Sequence, residues 1–519
     1  MQFVAKLILG MGLFTCASAA LAAPPAAPVV TVGASDIKQL QFDWPSVPGV
    51  ATYQLWFRAA PGAQWVKYAE TPAQRRIIRI NVSVHLLDWR VARYRVAACN
   101  PSGCTNSAEV GVSDLALDAV GYLKPNYAGE GRWFGQAVAM SADGRTAAVA
   151  FSQAVDGVYA DNGVFYVYRK ASSTAPWRFE ARLKPNLVRR GSSQPFGDAL
   201  SVNGDGTLIA YGRLFEGVGG ESANGAVYLF RRAGTTWTQE QRLVAGGPAF
   251  DYFGNTVDLD DAGNTLAVWR RDAARFSPRY GVIEIYNHGS AGWQHVTTIP
   301  VPESSTVNAH CDRFALSGDG MRLFRTCRTP SLPVVLVHDA PSWAESARID
   351  AGDGAEIDTN YDGTLFATRR GYAFADVYRL QQNVWSPDSG SPLDFNNDSN
   401  VSSPVNTSIA VSRDGKIIAA GDAEDADGMP GPNYPPIPQD QSGAPGGVYV
   451  FERKPSGWTL RRLMKPSVAA RTGFGYSVAI GGDGKNMILG ATTDMSTATG
   501  INGDPAQSSE TSIGAAWLY

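Results

Sequence analysis

From about residue 29 onward the chain is built of short runs in which apolar and polar residues alternate, separated by clusters of Gly, Pro, Asn and Asp. A period of two predicts β-strands with one buried face, and the breaks predict turns. Three runs near the N-terminus are clear: Gln39 to Trp44, Thr52 to Phe57 and Tyr94 to Cys99. About 85 residues of this kind, from Val29 to Val112, predict a seven-strand sandwich.

The remainder repeats itself. The first copy runs from Trp133-Phe134-Gly135 through Asp143-Gly144, then Gly163 to Tyr168, then Trp177 and Leu183-Lys184-Pro185. The turn glycine recurs at 144, 206, 263, 320, 363, 415 and 484, spaced about 57 residues apart on average. Each copy reads strand, tight turn, strand, variable loop, strand, short turn and a Trp-led strand, which is a four-stranded propeller blade. The seventh copy ends on its third strand at Tyr519. Gly121 to Asn126 precedes the first copy and matches Arg182 to Asn186, so it is expected to supply the missing strand and close the ring. Closure removes exposed strand edges. Trp177, Trp237, Trp293, Trp343, Trp385 and Trp458 recur in nearly every copy, which predicts packing between units rather than a sugar-stacking row.

The Trp44 position, with Leu87 followed by Tyr94 to Gly103, resembles the core Trp and tyrosine corner of a fibronectin type III domain. The repeats, with Phe-Gly at 134, 196, 253 and 474, resemble the FG-GAP repeats of integrin-α-like propellers over about 400 residues. The expected fold is all-β: a fibronectin type III-like sandwich over 29–117, then a seven-bladed propeller over 118–519 closed by its N-terminal strand.

Composition narrows the function classes. The chain has 519 residues, too many for one ordinary core, with 44% apolar and 18% charged residues. Its net charge of −3 lacks the basic excess of a general nucleic-acid binder. Residues 1–22 read as a secretory signal: Lys6, an apolar Leu7 to Phe14, and A-x-A sites at Ala17-Ser18-Ala19 and Ala20-Leu21-Ala22. Residues 23–28 form an Ala/Pro linker. The mature protein is expected to be monomeric, with no membrane span, and secreted, periplasmic or at the cell surface. Four cysteines follow the signal, allowing three connectivities. Locality within the two domains pairs Cys99 with Cys104 and Cys311 with Cys327.

Catalytic signatures are absent: there is no H-E-x-x-H, G-x-S-x-G or P-loop, and no catalytic residue is assigned. The FG-GAP resemblance implies Ca²⁺ in the first hairpin loop, where several oxygens must converge. Most copies lack the acids: the first ligand position is Ala139, Ser201, Asp258, Ala315, Asp358, Ala410 and Ala479, and the ninth is never acidic. Copy five retains Asp358, Asn360 and Asp362, and the alternating run Asp394, Asn396 and Asp398 is a second candidate for Ca²⁺. Long loops gather in copies six, seven and one, which the ring would make neighbours. Loops on a rigid scaffold carry function, so Tyr159, Asp422, Asp425, Asp427, Tyr434 and Asp440 are the expected ligand face. The expected function is non-enzymatic binding or adhesion toward a protein or glycan. The alternatives are an extracellular polysaccharide-active enzyme and a structural element of a cell-surface assembly.

Overall fold

The computed structural model describes residues 23–519 apart from 127–130, 155–162, 187–197, 219–222, 247–249, 272–280, 301–309, 329–332, 352–355, 372–373, 396–406, 426–444, 467–471 and 505–511. Strands dominate, and the one helical element among the described residues is a single 3-10 turn, Ser113–Leu115. No helix among them is long and apolar enough to cross a membrane. Contacts divide the chain into two compact units. The first comprises Met1–Val32, Gln41–Arg79 and Val91–Gly111, and the second Gly33–Leu40, Ile80–Arg90 and Val112–Tyr519.

The N-terminal strands form two antiparallel sheets, Thr31–Asp36 with Gln39–Asp43 and Ile77–Asn81, and Val66–Pro72 with Thr52–Arg58, Arg93–Asn100 and Gly103–Asn106. In the first unit the alternating apolar residues of both sheets meet: Phe42 lies 5.0 Å from Tyr94, and Trp44 5.0 Å from Tyr53, ring to ring. The Cys99–Cys104 disulfide joins directly paired residues of the hairpin that follows Tyr94.

The second unit is a β-propeller of four-stranded antiparallel sheets in sequence order. Sheet 1 runs from Gly131 to Leu183, sheet 2 from Asp198 to Leu243, sheet 3 from Val257 to Ile299 and sheet 4 from His310 to Ile349. Sheet 5 runs from Ile357 to Pro387, with Leu393–Asp394 added beside its third strand. Sheet 6 runs from Thr407 to Met464. Sheet 7 takes Phe474–Ile480, Met487–Ala491 and Ala515–Leu518 from the C-terminus and Gly121–Leu123 from before sheet 1, paired as Trp517 to Tyr122.

Each sheet buries both faces against its neighbours, which explains why third strands such as Val164–Arg169 and Ala226–Ala233 read as continuous apolar runs. One core joins sheets 1 and 2 through Phe165, Val167, Tyr211 and Tyr228. Another joins sheets 7 and 1 through Leu123, Ile488, Leu518, Phe134 and Trp177. The repeated Trp residues enter these cores, Trp293 between sheets 2 and 3 and Trp343 between sheets 3 and 4, as packing residues.

The Asp-Gly turns do more than reverse the chain. Asp143 N–H donates to Gly204 O, Gly204 to Asp261 O, Asp261 to Gly318 O, Asp319 to Tyr361 O, Tyr361 to Arg413 O, Asp414 to Gly482 O, and Gly482 to Ala142 O, at 2.7–3.0 Å. The last bond returns to the first turn, so the backbone chain of bonds is closed. A Cβ on Gly206 would strike Thr146 of the preceding sheet, and the φ of +68° there already selects glycine.

The Phe-Gly pairs lie at the other end of the strands. Phe134, Phe253 and Phe474 bridge in parallel to Gly514, Gly225 and Gly446 of the preceding sheet. The following glycines hold φ of +86° to +89°. A Cβ on Gly135 would sit 2.2 Å from Ala515 O. Phe196 and Gly197 lie outside the described residues. Cys311 and Cys327 form a second disulfide across the first hairpin of sheet 4, beside buried Val334 and Leu336.

Candidate functional site

The variable loops of the propeller leave from the end of each second strand, on the Phe-Gly side. At three of these exits an acid is buried and held by a base in the fourth strand or one residue past it and by a tyrosine hydroxyl. In sheet 2, Glu216 accepts from Arg242 at 2.7 Å and from Tyr228 at 2.8 Å. In sheet 6, Asp425 pairs with Lys465 at 2.9 Å and accepts from Tyr449 at 2.9 Å. In sheet 7, one oxygen of Asp494 accepts from Lys124 at 2.8 Å, from Tyr122 at 2.9 Å and from the Ser496 N–H at 3.0 Å. Lys124 and Asp494 are 0% and 2% exposed. Burial lowers the Lys124 pKa and Asp494 opposes it, while burial and the adjacent carboxylates push the Tyr122 and Tyr228 hydroxyls well above their ordinary range. The Lys-Pro step that recurs at Lys124 and Lys465 thus supplies the cation that pins a loop root.

These anchors bear directly on the expected ligand face. Asp422 ends the second strand of sheet 6 and is buried, with its pKa raised by burial against the Glu424 N–H and Arg369. Asp425 is buried in the ion pair with Lys465. Both carboxylates lie at the root of the loop and face inward. Tyr159, Asp427, Tyr434 and Asp440 fall outside the described residues.

The candidate Ca²⁺ positions are used by the fold. Asp358 accepts the Val411 N–H of sheet 6 at 2.7 Å and the Thr359 N–H at 2.8 Å. Asn360 donates to Asp362 at 2.8 Å and accepts from the Leu365 N–H at 2.9 Å, and Asp362 also takes the Thr364 hydroxyl at 2.7 Å. The turn therefore closes on itself. Asp258 makes the equivalent bridge from sheet 3, accepting the Leu316 N–H at 2.8 Å and the Ser201 hydroxyl at 3.0 Å. Asp394 is exposed on its short strand, and Asn396 and Asp398 lie outside the described residues. Among the described residues no group of three or more His, Cys, Asp or Glu side chains is placed to hold a metal ion.

At the turn end of the ring, Arg413 of sheet 6 reaches Asp261 of sheet 3 at 3.1 Å. Burial works against the charge on Arg413, and Asp261, Asp358 and Asp258 outweigh it and hold its pKa up. Burial pushes Asp358 up to about 6, with Arg413 opposing. Sequence reasoning missed this grouping, because its members come from sheets 3, 5 and 6, and more than 50 residues separate one sheet's members from the next.

One further carboxyl stands out on the loop side. Asp251, fully buried just before Phe253, is 3.4 Å from Arg270, which also holds Glu284 at 2.5 Å. Burial raises the Asp251 pKa to about 6, and its Oδ2 has no hydrogen-bond partner among the described residues.

A scan against protein-family models finds no match, and neither does a search of curated proteins. Solved structures do align. The Cps50 (Swd1) β-propeller domain of Myceliophteria thermophila is similar over 70% of this chain and 94% of its own, at 12% identity and a TM-score of 0.43. The Dos1 propeller aligns over 76% and 95%, at 10% identity and 0.44. The periplasmic gluconolactonase PpgL of Pseudomonas aeruginosa aligns over 80% and 95%, at 12% identity and 0.40. The fold assignment here rests on the sheets and their closed hydrogen-bond chain.

Proposed function

We propose that residues 29–117 are a fibronectin type III-like sandwich and residues 118–519 a seven-bladed FG-GAP-like propeller closed by Gly121–Leu123. The protein acts outside the cytoplasm as a binding protein, presenting the loop side of the propeller to a protein or glycan. One observation carries this reading. Buried acid–base–tyrosine anchors fix the loop roots of sheets 2, 6 and 7, so variable loops stand on rigid supports. Two intramolecular disulfides fit an oxidising compartment.

The test is binding of the full chain to a panel of polysaccharides and cell surfaces, with and without Ca²⁺, beside a variant in which 426–444 is cut to a tight turn. Saturable binding lost in that variant supports the reading. Equal binding by both proteins, or none by either when folded, refutes it.

A further inference from the structure

The first unit carries a groove of about 720 Å³ at the crossing between its two sheets. Val29, Trp44, Pro45 and Pro72 line its apolar part, and Arg75 and Arg76 line its polar part. Three features set it apart from ordinary surface. The Trp44 indole N–H is buried and has no hydrogen-bond acceptor, although a buried indole donor ordinarily finds one. Arg75 and Arg76 are both exposed, and among the described residues neither guanidinium has an ion-pair partner. Most other arginines of the described chain are engaged, as Arg58 is with Glu109 and Arg178 with Asp36. The one acid in the wall, Asp43, is held by Gln41 at 2.9 Å, and two guanidiniums against its single carboxylate leave the groove positive.

We propose that this groove binds an anionic oligosaccharide, one bearing carboxylate or sulfate groups. The flat apolar floor of Trp44, Pro45 and Pro72 suits the C–H face of a sugar ring. The two guanidiniums present planar forks that match carboxylate or sulfate geometry. A ring or hydroxyl oxygen gives the Trp44 N–H its acceptor. An extended acidic peptide fits less well, because Pro45 and Pro72 have no N–H and break any main-chain ladder along the groove. This inference is independent of the propeller loops.

The experiment is isothermal titration of the full chain with a galacturonate hexamer, a sulfated hexasaccharide, neutral maltohexaose and hexaglutamate. The acidic sugars are expected to bind and maltohexaose not to, and the tighter of the two identifies the anion. Because both arginines are exposed, Arg75→Gln with Arg76→Gln leaves the fold intact and is expected to weaken binding at least about tenfold, the loss of one charge-assisted contact. Trp44→Phe keeps the aromatic floor and is expected to weaken it a few-fold. Shortening 426–444 is expected to change nothing. No binding by either acidic sugar, hexaglutamate binding equally well, affinity that survives the double arginine change, or loss on shortening 426–444 would each overturn the proposal.

Discussion

Lys124→Met tests how the ring is closed. Lys124 stands one residue past the strand that completes sheet 7, and its ammonium and Asp494 are almost wholly buried. Removing the ammonium leaves Asp494 with two neutral donors, the Tyr122 hydroxyl and the Ser496 N–H. Breaking one side of a buried pair typically costs about 3–5 kcal/mol. An independent ceiling comes from protonation. Neutralising a carboxylate at pH 7 costs about 1.36 kcal/mol for each of the roughly three pH units above its free pKa, about 4 kcal/mol. The variant can pay no more than that for the stranded charge, so a loss of about 3–4 kcal/mol is expected at pH 7. The same argument fixes the pH dependence. The deficit is present above the free carboxylate pKa and shrinks as pH falls toward 4, where the unfolded chain also holds the proton. Urea unfolding followed at pH 7 and pH 4 measures both. Lys465→Met breaks the matching pair in sheet 6, away from the closure, and should cost a similar amount. Adding Asp494→Asn to Lys124→Met should recover at least half the loss. A loss below about 1 kcal/mol at pH 7, or one that does not shrink at pH 4, would refute the buried-pair reasoning.

Three other outcomes follow from the geometry. Gly135→Ala should destabilise by more than about 3 kcal/mol because its Cβ meets backbone at a positive φ, whereas Gly234→Ala, with φ of +62° and nothing within 4 Å, should cost about 1–2 kcal/mol; thermal midpoints of the two variants separate clash from φ. Asp358 has its pKa raised to about 6 by burial, so its contribution to stability is full below its free pKa near 3.9 and is lost as pH rises through 6; Asp358→Asn should flatten the stability profile between pH 4 and 6 in a thermal-shift series. Replacing Cys311 and Cys327 by alanine opens a loop with a separation of 16 residues and should cost about 3 kcal/mol, read as a lower melting temperature than that of the oxidised parent.

The disulfide pairs, the repeat and the strand that completes sheet 7 are all legible in the sequence. Each is a short-range pattern or a sequence match: Cys99 and Cys104 flank a turn, and the Gly121 to Asn126 segment copies a fourth strand. The expected site was much less legible. Asp425 was expected on a ligand face and is instead the acid of a loop anchor. Asp358 was expected among Ca²⁺ ligands and instead bridges to the Val411 N–H of the next sheet. Their residue type was informative and their partners were not, because a carboxylate in a loop sequence looks the same whether it faces solvent, a metal or a buried lysine.

Local chemistry explains the division. Strand alternation, Asp-Gly turns and the Phe-Gly repeat act over a few residues, so the sequence by itself determined that this chain makes four-stranded units and how its cysteines pair. The Lys124–Asp494 pair spans 370 residues and the Arg413–Asp261 pair 152. Only ring closure brings such groups together, and only burial then decides whether a charge is an anchor or a binding group. The groove beside Trp44 has the same origin. Trp44 and Arg76 meet because the strands they flank, Gln39–Asp43 and Ile77–Asn81, pair in one sheet, the Trp44 backbone N–H donating to Arg76 O at 3.3 Å, and no spacing in the chain announces the unpartnered indole N–H.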